Sequence, residues 1–160
     1  MLRVLVDGAF VLVLLTFCGC PGGVGLRPDG TPGPEGCSAE ALRTMEALQL
    51  QVGDSVKVQL DANQVDASPV TLYDGPVESL VWGYFGTLDL GTRLYGRVWT
   101  AGPKVVVRYY QAQRMDGQPI PICAVARMSG NEFRKLPGSK PGMALVEFSI
   151  AVAYVVSEFR

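Results

Sequence analysis

The stretch 104–127, KVVVRYYQAQRMDGQPIPICAVAR, decides the fold, because two β-rich runs meet there at Asp116-Gly117. β-Branched and aromatic side chains crowd Lys104 to Arg114, Ile and Val recur through Pro119 to Arg127, and both runs suit a pleated, half-buried surface. Asp-Gly between such runs is the signature of a two-residue type I′ hairpin turn. That loop length fixes the register, placing Tyr109 opposite Ala124 and Tyr110 opposite Cys123. Pro119 and Pro121 then fall at non-hydrogen-bonded pairs, so the second strand is expected to start at a sheet edge. An open edge could accept a strand from another protein, although prolines there block such pairing.

Outward from the hairpin, a period of two recurs. Val56, Val58 and Leu60 alternate with Lys57 and Gln59 in the segment from Ser55. Asp61 to Ser68 reads as a polar loop, Pro69 to Tyr73 as a short strand, Asp74-Gly75-Pro76 as a turn and Val77 to Trp82 as a further strand. Thr92 to Thr100 follows, and Met143 to Val156 reads as two strands or one bent strand. About seven short strands punctuated by turns give a mainly β fold, a single antiparallel barrel or sandwich. One helix packs on it. Ser38 is its N-cap, Glu40 complements the dipole in the first turn, and Leu42, Met45 and Leu48 form an apolar stripe that ends near Gln49.

Further towards the N-terminus the grammar changes. Arg3 precedes an apolar run of nine residues, Ala9 to Phe17, which fits the apolar core of a signal peptide and is far short of the roughly 20 residues of a membrane-spanning helix. Residues 1–20 are thus expected to be an export signal, 21–37 a flexible Pro/Gly-rich tether and 38–160 the β-rich domain. Phe17-Cys18-Gly19-Cys20 resembles a bacterial lipobox, which would make Cys20 the lipidated residue and tether the domain to a membrane by its lipid anchor. Ordinary signal-peptidase cleavage is the alternative. Either processing leaves Cys37 and Cys123 in the mature chain, where an oxidising compartment favours one disulfide over two buried thiols.

Composition narrows the function classes. The 160 residues carry a net charge of −1 with no basic block, which argues against nucleic acid as a partner, and 48% are hydrophobic, as in a globular domain. The chain has no histidine. Ser-His-Asp and Cys-His nucleophile activation and the usual zinc ligand sets are therefore closed, and no catalytic residue, cofactor or metal site stands out. Asp61-Ala62-Asn63-Gln64-Val65-Asp66 has oxygens at calcium-like intervals but lacks the glycine and terminal glutamate of an EF-hand, so it reads as a polar turn. Trp82, Tyr84, Phe85, Tyr95, Trp99, Tyr109 and Tyr110 are either core or a ligand face; Trp82, Tyr95, Trp99 and Tyr109, with Arg97, are the candidates for that face. Arg93, Arg97 and Arg108 alternate with apolar neighbours and read as a solvent face. Asp61, Asp66, Asp74 and Glu78 are the carboxylates a hydrolase would have to use.

The runs LDANQVDASPVTLYDGPVES (60–79) and GTRLYGRVWTAGPKVVVRYYQAQRMDGQPIPICAVAR (91–127) resemble a family of small exported proteins from myxobacteria, over Leu26 to the end of the chain. The resemblance implies an exported, lipoprotein-like β domain and supplies no catalytic residues. Some members carry the label serine/threonine protein kinase; this chain has no histidine for an HRD loop, no DFG and no glycine-rich loop after a strand. LGTRLYGRV and VVVRYYQAQRMDGQPIPI are also similar to the β-barrel of type IV secretion outer-membrane channel subunits, whose pore-forming helical segment has no counterpart here. The tether, the edge strand and the absence of catalytic groups point to a non-enzymatic envelope protein that contacts an envelope protein partner. A small-molecule or glycan-binding β domain is the alternative, and a carboxylate-based hydrolase comes third.

Overall fold

The computed structural model describes residues 25–160; the expected signal peptide and Cys20 lie outside them. In chain order the elements are β1 (Glu35–Gly36), α1 (Ala39–Ala47), β2 (Ser55–Gln59), β3 (Val70–Tyr73), β4 (Gly75–Val81), β5 (Arg93–Trp99), β6 (Lys104–Gln113), β7 (Pro119–Arg127), β8 (Phe133–Arg134), β9 (Met143–Val146), β10 (Ile150–Val155) and β11 (Glu158–Phe159). Six of these strands close on themselves. β2 pairs with β4, β4 with β5, β5 with β6, β6 with β7, β7 with β10 and β10 with β2, every pair antiparallel. The result is a six-stranded meander barrel, with β8 as an extra strand on β6. Closure removes the open edges that a sandwich would have to protect.

The interior is filled by side chains. Val58, Val81, Leu94, Val107 and Tyr109 bury against small partners, Ala112, Ala124, Ala126, Ala151 and Ala153. This large-against-small pairing suits a barrel too narrow for a lumen. Two small ribbons complete the fold. β3 pairs with β9, and its buried Val70 and Leu72 join the barrel core with Ala144 and Val146. β1 pairs with β11 and so brings both ends of the described chain onto the outside of the barrel.

The helix is capped as expected, but its buried face is Ala41, Met45 and Leu48, whereas Leu42, expected in the apolar stripe, is 41% exposed. Ser38 is the N-cap and its hydroxyl accepts from the Ala41 N–H at 3.0 Å, and Glu40 lies in the first turn. At the other end Gln49 takes φ +58°, its N–H reaching Glu46 O and that of Leu50 reaching Met45 O, the two bonds of a Schellman motif. Three links then fasten the helix to the barrel. Cys37 and Cys123 form a disulfide with Cα atoms 6.0 Å apart, Met45 Sδ accepts from the Cys123 N–H, and Leu48 O accepts from Thr87. In the chain-entropy account a bridge across 86 residues stabilises the fold by about 4.6 kcal/mol.

Two local expectations change. The turn is not the two-residue type I′ form: Gln113 faces Pro119, which leaves the five residues Arg114 to Gln118 between them, and within these the Gly117 N–H bonds Arg114 O and Gly117 takes φ +84°. A type I turn followed by a left-handed glycine uses the same Asp-Gly pair. A second irregularity compensates. Ile122 and Cys123 together oppose Tyr110 in a β-bulge, so Tyr110 does not face Cys123 alone, while Tyr109 still pairs with Ala124. Among the described residues, Pro119 to Ile122 has no strand partner on its other side, as an edge start requires, because β10 meets β7 only from Ala124 to Arg127.

The expected flexible tether is also revised. Residues 26–36 contain a bridge between Leu26 and Pro32, a bond from Gly33 N–H to Gly25 O, and the β1 ladder on β11. Proline and glycine here shape a strap on the barrel instead of a loose linker.

At Gly96 the backbones of β5 and β6 come together. A Cβ at this position would sit 1.9 Å from Arg108 O and 2.9 Å from Tyr109 Cα, both main chain. Gly96→Ala should therefore destabilise the barrel by at least about 3 kcal/mol, read as a lowered midpoint in urea unfolding; a midpoint unchanged within error would show that the strands can separate at no cost.

Candidate functional site

The expected ligand face is divided by the barrel wall. Tyr109 points inward, fully buried, with its hydroxyl 2.7 Å from Ser79 Oγ, which itself donates to Leu60 O. Burial pushes its phenol well above the ordinary range. Trp99 is buried on the outside, where Arg97 and Arg108 each bring a guanidinium over its ring, at 5.5 and 5.4 Å. Trp82 is half exposed at the far end of β4, and Tyr95 is partly buried on β5 with its hydroxyl donating to Gln113 Oε1. Of the five residues, only Arg97 and Trp99 meet.

Arg108 is not on a solvent face, as its alternation suggested; it is buried, with 1% of its surface exposed. The strap is the reason. Nη2 donates to Gly33 O at 2.9 Å and, more loosely, to Pro32 O and Arg160 O, while Nη1 lies 3.5 Å from Glu35 Oε2. The Phe159 ring lies 4.9 Å from the guanidinium. Tyr110 completes the group, its hydroxyl donating to Glu35 at 2.9 Å. Burial, then the Glu35 hydrogen bond and charge, push the Tyr110 phenol up to about 12. This cluster fastens the strap and the β11 end of the described chain to the barrel, as a clasp.

A cleft of about 350 Å³ lies at the other end of β4, and sequence reasoning had connected only parts of it. Leu72, Val77 and Val98 line it with apolar surface; Asp61, Asn63 and Glu78 supply polar groups, and Tyr73 and Tyr95 supply aromatic ones. Its walls are fixed by bonds within the 61–64 turn and by bonds between that turn and neighbouring strands. The Asp61 carboxylate accepts from Asn63 N–H and Gln64 Nε2, an Asx turn that fits the polar-turn reading of this loop. Gln64 is the hub: its amide both donates to Thr71 O and accepts from Thr71 N–H, and its own carbonyl accepts from Gln59 Nε2. The Ala62 N–H holds Glu78 O at 2.9 Å, and the Glu78 carboxylate pairs with Arg93.

Four carboxylates were candidates for acid/base work. Asp61 and Glu78 do share this cleft, but both spend oxygens on structural partners. Asp66 lies elsewhere, beside Phe148, and Asp74 pairs with Arg97 and accepts from Thr100 N–H. The arrangement can hold a ligand by an apolar floor and a polar rim, which is the usual construction of a small-molecule site.

A third feature is the loop of residues 82–91. Trp82, Tyr84 and Leu90 are exposed on it, Tyr84 by 83%. Its base is closed by Gly91 N–H to Val81 O, and its middle is bound to the helix end by Thr87 N–H to Leu48 O. Gly86, at φ +58°, leaves no room for a side chain, since a Cβ would lie 2.2 Å from Leu48 O. Exposed aromatic side chains on a loop so firmly mounted are unusual for a surface with nothing to contact.

No family model matches the chain, and no curated protein matches it. No helix among the described residues is long and apolar enough to cross a membrane.

Removing the Arg108 side chain should free the strap. In Arg108→Ala, glutamyl endopeptidase is expected to cut after Glu35 at least tenfold faster than in the parent protein; an unchanged rate would mean that the β1 ladder holds the strap alone.

The clasp should also fail in alkali. With the Tyr110 pKa raised in the folded state, the native chain keeps a proton that the unfolded chain releases above about pH 10. Its stabilising effect is intact below that pH and is lost as pH rises towards 12. Thermal midpoints should fall over this window, and Tyr110→Phe should fall less steeply than the parent.

Proposed function

We propose that this protein is a non-enzymatic, exported envelope module, held to a membrane by a lipid on Cys20 and working through contact with an envelope protein. The observation that carries the reading is the 82–91 loop, which offers Trp82, Tyr84 and Leu90 from a base locked to both barrel and helix. Tyrosine and tryptophan are the side chains most enriched where protein surfaces bind one another. The Cys37–Cys123 bridge supports export to an oxidising compartment, the periplasm or the outer membrane. Kinase chemistry has no residues to perform it in this reading.

A second reading, a small-molecule or glycan-binding domain, is favoured by the cleft beneath Tyr73 and Tyr95. The two are compatible, because the cleft and the loop lie at opposite ends of β4.

The full chain expressed with its leader in a Gram-negative host tests the first reading. Labelled palmitate should enter the protein and be lost in Cys20→Ala. A photo-crosslinking residue in place of Tyr84 should give one discrete envelope adduct that the same residue in place of Met115 does not. Unlabelled, cytoplasmic protein, or identical adducts from both positions, would overturn it.

A further inference from the structure

We propose that the cleft between Tyr73 and Tyr95 is a carbohydrate subsite that takes a pyranose ring of a neutral glycan; the inference rests on the second reading above. A pyranose has an apolar C–H face and a rim of hydroxyls, each both donor and acceptor. The cleft matches both. Pro76 and Val77 form the accessible apolar part, over the core residues Leu72 and Val98, and the exposed Tyr73 ring, 65% accessible, offers a face on which a sugar can stack. On the rim, each carboxylate retains lone pairs beyond those already bonded, and among the described residues the Asn63 amide and the Tyr73 hydroxyl have no hydrogen-bond partner.

Charge selects within the class. No lysine or arginine lines the cleft, and two carboxylates do, so uronic acids and sugar phosphates are repelled. A simple ammonium ion suits it less well than a neutral sugar. Glu78 already has its cation in Arg93, and such an ion would leave the Asn63 amide N–H groups and the apolar floor unmatched. The volume of about 350 Å³ lies at the small end of ligand sites, which limits the subsite to one ring of a longer chain.

The site is preformed. Asp61 is fixed by Gln64, Gln64 ties its loop to β3 through Thr71, Ala62 is bonded to Glu78 O, and the Tyr95 hydroxyl is held by Gln113. Little order has to be gained on binding, so little of the contact energy is lost to ordering the site.

The test is isothermal titration of the full-length protein in mild detergent with the neutral trisaccharides maltotriose, cellotriose and triacetylchitotriose. At least one should bind, with affinity falling tenfold or more in Tyr73→Ala and in Asn63→Ala, unchanged circular dichroism, and no change in Met115→Ser. Tyr73 and Asn63 are exposed, so neither variant threatens the fold. Binding that survives both variants, or no binding of any trisaccharide, would overturn the proposal. Phenol and butylamine serve as a second arm: if either binds in a Tyr73-dependent manner while no saccharide does, the cleft is a small-molecule site of another class. If nothing binds in either arm, the second reading falls with the proposal.

Discussion

The barrel depends on strand bending concentrated at one level of its wall. Six strands make a tight cylinder, and a sheet closes so sharply only where bulges and glycines let the backbone turn. Here β6 carries Tyr110 as an extra residue against β5, and β7 carries an extra residue at Ile122–Cys123 against β6. Gly96 lies at the same level, its missing side chain permitting the main chains of β5 and β6 to touch. The consequences extend past closure. Tyr109 enters the core and meets Ser79, while its neighbour Tyr110 reaches outward to Glu35. Cys123, in the other bulge, reaches the helix.

Once the wall bends there, Arg108 becomes the point at which the strap and the β11 ribbon are gathered. It stands directly opposite Arg97 on β5, and like charges in that position repel. The conflict is resolved by different partners. Arg97 goes to Asp74, Arg108 turns to the carbonyls of the strap, and Trp99 receives both guanidinium groups. A guanidinium suits this role because its planar fork serves several carbonyls and still stacks on aromatic rings, which an ammonium cannot do. The strap in turn places Cys37 next to β11, where its N–H reaches Ser157 O, and so within reach of Cys123. Clasp and disulfide are two fastenings of one seam.

The parts that were legible in the sequence were those with short-range causes. Alternation from Val56 to Leu60, the β-rich runs on either side of Asp116-Gly117, and Ser38 as a cap each depend on neighbours within a few residues. The Cys37–Cys123 pairing was reached by elimination, since only two thiols remained. Loop length at Gly117 was beyond reach because Asp-Gly serves both turn types, and the compensating bulge is set by packing around the whole barrel. Arg108 was misread for a related reason. Alternation places it correctly on the outer face, but only the strap, some 75 residues earlier, makes that face an interior. The cleft was half legible: Asp61 and Glu78 were noted as carboxylates and Tyr95 as a candidate aromatic, yet nothing local indicates that Gln64 brings their loops together.

The filled interior determines where function can reside. Larger barrels of this topology hold ligands in their lumen, but here Tyr109 and its neighbours occupy that space, so recognition is left to the rim and the outside. The rim offers two unlike surfaces. At one end of β4, Trp82, Tyr84 and Leu90 project from a loop fastened to the helix, an apolar and aromatic surface that protein contacts favour. At the other, oxygen and amide groups surround an apolar floor, a mixture of the kind that binds hydroxylated molecules. Both surfaces are built at the ends of one strand, β4, which is paired on both sides, with β2 and β5, in the closed barrel. A module built in this way suits holding two partners at a fixed separation better than it suits relaying a conformational change, which would require an element with two stable arrangements.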